Sequence, residues 1–254
     1  MESLSGLTPL FEFSVIDLGL IILIFVWSGF VRSGLGFGGA ALSLPLLLIV
    51  YDKPLFWLPI IGAQLLLFSA ITLRTRITNV DWIVLRNTSV YILPAKLAGV
   101  LGLISLPTLW LVSLIYTITL IYGLLWVFNV KIRGGNGWVA NLLLIIGGYF
   151  SGTSLTGAPP IVAVFTQRVK ASQLRDTLFG LWFILVTIKL VTLALFEVNL
   201  QFVSTLILTP VAFIGHVLGM KAHKTMLNND ELFRRVLGGA LTGICLLGLG
   251  SLAH

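Results

Sequence analysis

Long apolar runs separated by short polar loops repeat from one end of the chain to the other. They fall at 14–31, 40–50, 55–73, 88–104, 109–129, 138–150, 158–166, 177–197, 200–220 and 236–252. A helix that crosses a bilayer needs about 20 apolar residues, with a working range of about 17–25. Six of the runs span comfortably, whereas 40–50, 138–150 and 158–166 are too short. The pattern predicts an all-α, polytopic integral membrane protein in which the short runs do something other than cross.

The short runs flank two stretches rich in glycine and hydroxyl residues, Ser33-Gly34-Leu35-Gly36-Phe37-Gly38-Gly39-Ala40 and Ser151-Gly152-Thr153-Ser154-Leu155-Thr156-Gly157-Ala158-Pro159-Pro160. Glycine costs about 1 kcal/mol and proline about 3 in a helix interior, so helices are expected to break there. Placing Ser33 on Ser151 also matches Gly34 with Gly152, Gly39 with Gly157 and Ala40 with Ala158, at an offset of 118. Pro94 and Gly99 answer Pro210 and Gly215 at an offset of 116. The expectation is one transmembrane domain, 1–254, made of two repeats at about 13–130 and 138–252, each with a broken helix or re-entrant hairpin.

Charge then sets the sidedness, because Lys and Arg accumulate in cytoplasmic loops. The basic loops are 74–86, 131–133, 168–175 and 221–235. If each broken element enters and leaves on one face, all four loops share a side and both termini lie outside. That arrangement inverts the second repeat relative to the first, an architecture common among secondary transporters.

Composition agrees: 57% of the residues are hydrophobic, 10% are charged, and the mean hydropathy is +1.06. No basic n-region precedes the first run, so it is expected to stay as a helix rather than be cleaved as a signal. The net charge of +7 is scattered between apolar runs without a basic, aromatic-rich face, which points away from nucleic acid. Cys245 has no partner cysteine and is expected to be packing. The tryptophans Trp57, Trp82, Trp110, Trp138 and Trp182 lie mostly near span ends, as interfacial anchors do.

Non-helical backbone at membrane depth is tolerated only where it is buried or lines a polar cavity, so the two breaks are the first candidates for a substrate site. Half-helix N-termini after Gly38 and Gly157 would offer N–H donors and positive dipole ends to an anion. The alternative is that the glycines serve close packing and the hydroxyls bond their own backbone. Ionisable residues within spans are expensive and point to function. Here they are Arg32, Lys96, Lys189 and His216, with no carboxylate at comparable depth, which argues for an anionic passenger. The candidate substrate-binding set is Arg32, Ser33, Gly34, Gly36, Gly38, Gly39, Lys96, Ser151, Gly152, Thr153, Ser154, Thr156, Gly157 and Lys189, with His216 as a proton relay. The competing roles are snorkelling for Arg32 and Lys189, carbonyl pairing for Lys96 and packing for His216. Gly34-Leu35-Gly36-Phe37-Gly38-Gly39 lacks the βαβ context and lysine of a nucleotide loop, and no cofactor or metal site is expected.

The glycine-rich break with Pro45 beyond it, its repeat from Ser151-Gly152 to Pro159, and the ending from Gly215-His216-Val217-Leu218-Gly219 to Phe233-Arg234-Arg235 resemble the TauE/SafE family of sulfite exporters. The resemblance covers essentially the whole chain. It implies a carrier, not an enzyme, in a cell (inner) membrane, moving sulfite, sulfonates or other small anions by alternating access. Thr153-Ser154-Leu155-Thr156 departs from the more glycine-rich pattern of the family, and Ala158 replaces a glycine. The rival readings are an anion channel and a membrane subunit of a larger complex. The expected partners are a small anion and the lipid bilayer, with a homo-oligomer or accessory protein compatible with both.

Overall fold

The structure, a computed structural model, describes residues 9–35, 39–130, 132–228 and 230–252. Every element among them is helical: α1 Pro9–Glu12, α2 Val15–Leu35, α3 Gly39–Val50, α4 Pro54–Arg74, a 3-10 turn Ile77–Asn79, α5 Trp82–Ser105, α6 Thr108–Val127, α7 Trp138–Ser154, α8 Ala158–Arg168, α9 Ala171–Leu195, α10 Phe202–Asn228 and α11 Asp230–Leu252. Seven of these, α2, α4, α5, α6, α9, α10 and α11, are long and apolar enough to cross a membrane. All seven fall on the runs left when the three short ones are set aside, so the expectation of six spans undercounts by one. The run 88–104 grows back to Trp82, where the Asp81 carboxylate accepts from Val84 N at 3.0 Å and caps the helix. Large apolar side chains face outward, with Leu195 and Leu206 each 76% exposed and Leu247 73%. Water would penalise such a surface, whereas lipid solvates it; the protein is a multi-pass membrane protein.

The helices fall into two compact units. The first comprises Met1–Ile61, Thr108–Asn129 and Asn199–His254. In it α2 lies along α10, α11 lies along α6, and the short α3 is held by α2, α6 and α11. Small residues let the backbones touch, as is usual where lipid supplies no hydrophobic drive between helices. A Cβ at Gly215 on α10 would sit 1.8 Å from the Val26 carbonyl of α2. Val31, Leu42, Leu237 and Leu241 form a small cluster that Trp27, Phe30 and Trp126 cover. Trp57 is fully buried, its Nε1 donating to Tyr51 O at 2.8 Å. Cys245 is free and buried.

The second unit comprises Gly62–Pro107 and Val130–Val198. Here α5 lies along α7, and α8 and α9 close the packing. The core gathers Ile92, Leu144, Ile161, Phe165, Leu181 and Leu185. A Cβ at Gly152 would lie 2.4 Å from Lys96 O and 2.7 Å from Gly99 Cα, so α5 and α7 meet backbone to backbone. Gly134, before α7, packs on Ala163 O and the Gln167 side chain near the end of α8. Trp182 is 7% exposed and sits in this core, whereas Trp82, Trp110 and Trp138 are exposed near helix ends. Trp57 and Trp182 therefore pack inside the protein rather than anchoring it in the interface.

Candidate functional site

Ser151, Gly152, Thr153 and Ser154 form the last turn of α7, so the helix runs further into the glycine-hydroxyl stretch than residue propensities suggest. The chain turns at 155–157, with Leu155 in the left-handed region at φ 59° and ψ 16°. Every residue from 151 to 157 is buried. A helix C-terminus leaves about four carbonyls without intrahelical partners, carrying the negative end of the helix dipole. In this unit two lysines take them up. Lys96 Nζ, from α5, donates to Ser151 O at 2.7 Å and to Ser151 Oγ at 2.9 Å. Lys189 Nζ, from α9, donates to Gly152 O at 2.7 Å and to Thr153 O at 3.3 Å.

Both lysines have zero exposure, and neither has a carboxylate partner among the described residues. Their ammonium groups rest on carbonyls of three successive residues, so the two cations are neighbours with only partial charges to offset them. Burying charge without a full counter-charge is costly, and the geometry is one that an anion would relieve.

The hydroxyls around the link are engaged locally. Thr153 Oγ1 donates to Tyr149 O and Phe150 O, both at 3.3 Å. Ser154 Oγ donates to Phe150 O at 3.1 Å and lies 2.5 Å from Thr156 Oγ1. Gly157 is the N-cap of α8, and it is glycine for space, since a Cβ there would lie 1.9 Å from Gly147 O. Pro159 and Pro160 occupy the first turn of α8. Proline has no N–H, so this helix start offers fewer donors than the expected anion-binding N-terminus. The carbonyl-bound lysines, not a bare dipole end, dominate the electrostatics of the link.

In the first unit, Arg32, Ser33 and Gly34 lie in the last turn of α2, and Gly39 opens α3. Gly36 and Gly38 lie outside the described residues. Arg32 is 5% exposed and its Nη2 donates to Ser28 Oγ at 3.4 Å. Ser33 Oγ donates to Gly29 O at 2.9 Å and closely approaches His216 Nδ1 of α10. A Cβ on Gly39 would meet Ser28 O at 3.0 Å and Arg32 Cβ at 3.1 Å. Arg32, Ser33, Gly39 and His216 thus form one group, and Lys96, Ser151–Gly157 and Lys189 another. Ser33 and Ser151, matched at an offset of 118 in sequence, each meet a basic side chain from the helix packed alongside.

One polar cluster escaped the sequence reading. Asp176, 2% exposed on α9, accepts from Asn79 Nδ2 at 2.6 Å and lies 3.8 Å from Arg76 Nη1. Asn79 also donates to Ser172 O at 3.0 Å, Gln173 Nε2 donates to Asn79 O at 3.2 Å, and Asp81 N donates to Thr177 Oγ1 at 3.0 Å. The signal was there in Gln173, Asp176 and Thr177, which share one face of α9, yet their partners lie more than ninety positions earlier. Among the described residues no group of three or more His, Cys, Asp or Glu is placed to hold a metal ion.

Comparison with curated proteins yields no match, and neither does comparison with solved structures. A family model described as Sulfite exporter TauE/SafE, in contrast, matches residues 21–247, which include both links, both buried lysines, Arg32 and His216. The chain belongs to the TauE/SafE sulfite exporter family, a family of membrane transporters and not of enzymes.

Proposed function

We propose that the protein is a secondary transporter that exports small anions such as sulfite, sulfonates or related organic anions across an inner membrane. It works by alternating access around a midplane site at the α7–α8 link. The observation that carries this reading is the pair Lys96 and Lys189, fully buried, seated on neighbouring carbonyls and without carboxylate partners among the described residues. A cation site would be lined by carboxylates; this one supplies positive charge on donors that can turn toward a ligand. The hydroxyls of Ser151 and Thr156 complete the binding group, and Arg32, Ser33 and His216 form its counterpart in the first unit.

Two inverted repeats are part of the same proposal. They are supported by the exchange of partners, in which α2 packs on α10 while α7 packs on α5. A re-entrant α7–α8 element is supported by Gly134, ahead of α7, lying against Ala163 and Gln167 near the end of α8. Further support comes from two of the basic loops, which are tied together by Asn79 and Asp176 as a shared membrane face requires.

The test is flux of sulfite and of a small alkylsulfonate into proteoliposomes. A hydrogen bond from a charged group contributes about 1.5–3 kcal/mol, so Lys96→Gln and Lys189→Gln should each slow initial flux by about tenfold or more. Both variants should remain monodisperse on size exclusion. Unchanged flux in both would remove the lysines from the site, and single-channel currents in planar bilayers would replace the carrier with a channel.

A further inference from the structure

One end of the second unit carries a rim of basic side chains. Arg74 closes α4, Arg86 stands in the second turn of α5, Arg168 closes α8 and Lys170 caps α9. Their neighbours Leu73, Leu85 and Val169 belong to a single buried cluster, so these four ring the same end of one core. The polar cluster around Asn79 adds Arg76 and Arg175, since Arg76 meets Asp176 and Asn79 meets Ser172. Arg133 precedes Gly134, which packs on Ala163 O and Gln167 near the end of α8. All seven cations are exposed.

The protein supplies little counter-charge here. Asp176 is buried and taken up by Asn79 and Arg76, and the Asp81 carboxylate is occupied with Val84 N. Among the described residues the other six cations have no ion pair. Apolar groups share the same rim. Trp82 and Val90, 48% and 70% exposed, fall with Arg86 on one face of α5 at spacings of four residues. Ile77, before α5, and Trp138, which opens α7, are 51% and 75% exposed. A guanidinium set between an exposed tryptophan and an exposed valine belongs in the headgroup layer, where long basic chains snorkel and indole rings settle. An acidic soluble protein or a free anion would answer the charge and leave Trp82 and Ile77 in water. A phospholipid answers both, the charge with its phosphate and the apolar groups with its chains. Sidedness depends only on how many cations a loop carries; the fold adds that these are unpaired and interleaved with lipid-facing side chains.

We propose that this rim is a binding surface for the headgroups of anionic phospholipids, with Arg86 on a phosphate at the lipid-facing side of α5 and Arg74, Arg168 and Lys170 extending the surface. The arginine fork matches phosphate oxygens two at a time, and an anionic leaflet attracts basic groups over about a screening length. Headgroups held there join α4, α5, α8 and α9 at the end where Asn79 already ties the start of α5 to α9. The charge of the surrounding lipid thereby stabilises the second unit.

The full chain is melted in phosphatidylcholine nanodiscs with and without phosphatidylglycerol, and the lipids that stay bound after transfer to detergent are counted by native mass spectrometry. Phosphatidylglycerol should raise the melting temperature by about 3 °C or more and be enriched several-fold over phosphatidylcholine among the retained lipids. Raising the salt from about 0.1 M to about 1 M shortens the screening length from about 10 Å to about 3 Å and should remove most of the shift. Arg74→Gln, Arg86→Gln and Arg168→Gln combined should lose both effects yet melt in pure phosphatidylcholine as the unaltered protein does. Lys53→Gln, just before the opposite end of α4, should keep both. Equal melting of the unaltered protein in the two lipids would overturn the proposal, as would full enrichment in the triple variant. An equal shift from inorganic phosphate would make the rim a site for free anions and overturn it as well. The salt and phosphate measurements use the unaltered protein, so they decide even where the triple variant fails to fold. The three arginines take no part in the Lys96 and Lys189 contacts, so the transport reading is decided separately.

Discussion

At Gly152 the absence of a side chain decides whether α5 and α7 can meet. A Cβ there would lie 2.4 Å from Lys96 O and 2.7 Å from Gly99 Cα, both backbone atoms that cannot swing aside. Gly152→Val should therefore destabilise by at least the about 1–3 kcal/mol typical of overpacked cores, read as a lower melting temperature in detergent, and should also displace the Lys96 contact. Gly239, on the exposed face of α11 with nothing within 4 Å of a built Cβ, is the control. Gly239→Ala should be neutral or stabilise by up to about 1 kcal/mol. The comparison shows what the sequence could disclose. The glycine pairs at 34/152 and 99/215 were legible as a repeat, but propensity read Gly152 as a helix breaker. The structure has it helical, because the contact that a bare backbone allows outweighs the local preference. The lysines were legible as buried charges, since a cation amid apolar residues is rare. Their carbonyl partners were not, because Ser151 lies 55 positions from Lys96 and only the fold joins them.

Among the elements, the polar latch between the 76–81 segment and α9 is the clearest case of long-range order that hydropathy hides. Asn79 serves three functions there, donating to Asp176 and Ser172 and accepting from Gln173. Asp81 meanwhile caps α5 through Val84 N. Asp81→Ala should cost about 0.5–2 kcal/mol, the usual range for a lost N-cap. Asn79→Ala leaves the buried Asp176 carboxylate with only a long contact to an Arg76 that is 65% exposed, and should destabilise by about 1–3 kcal/mol. Hydrogen exchange should localise the effect, with faster exchange at the starts of α5 and α9 and no change in α10. Uniform acceleration along the chain would show that the latch is not a local device. Element existence was readable from apolar runs; the starts of α5 and α9 were not, because polar caps and side chains drawn from distant positions set them.

For the molecule as a whole, the prediction concerns sidedness. Single cysteines introduced at Thr78, Gly135 and Lys170 should be labelled from one aqueous face, and one at Lys53 from the other, with an impermeant maleimide on intact cells as the measurement. The expectation rests on α4 crossing once between Lys53 and Thr78, and on the contacts that bring the other three loops together within the second unit. Labelling of Lys53 and Thr78 from the same side would cancel the inverted-repeat proposal. The seating of Lys96 and Lys189 on the end of α7 has one more implication for turnover. On the transport role proposed above, the carbonyls that hold Lys96 and Lys189 in the absence of an anion offset part of their charge and give both a resting place in the vacant carrier. Reorientation then requires no second anion to ride back, and export should run as net movement rather than obligatory swap: loaded vesicles should empty into anion-free buffer as fast as into buffer holding the same anion.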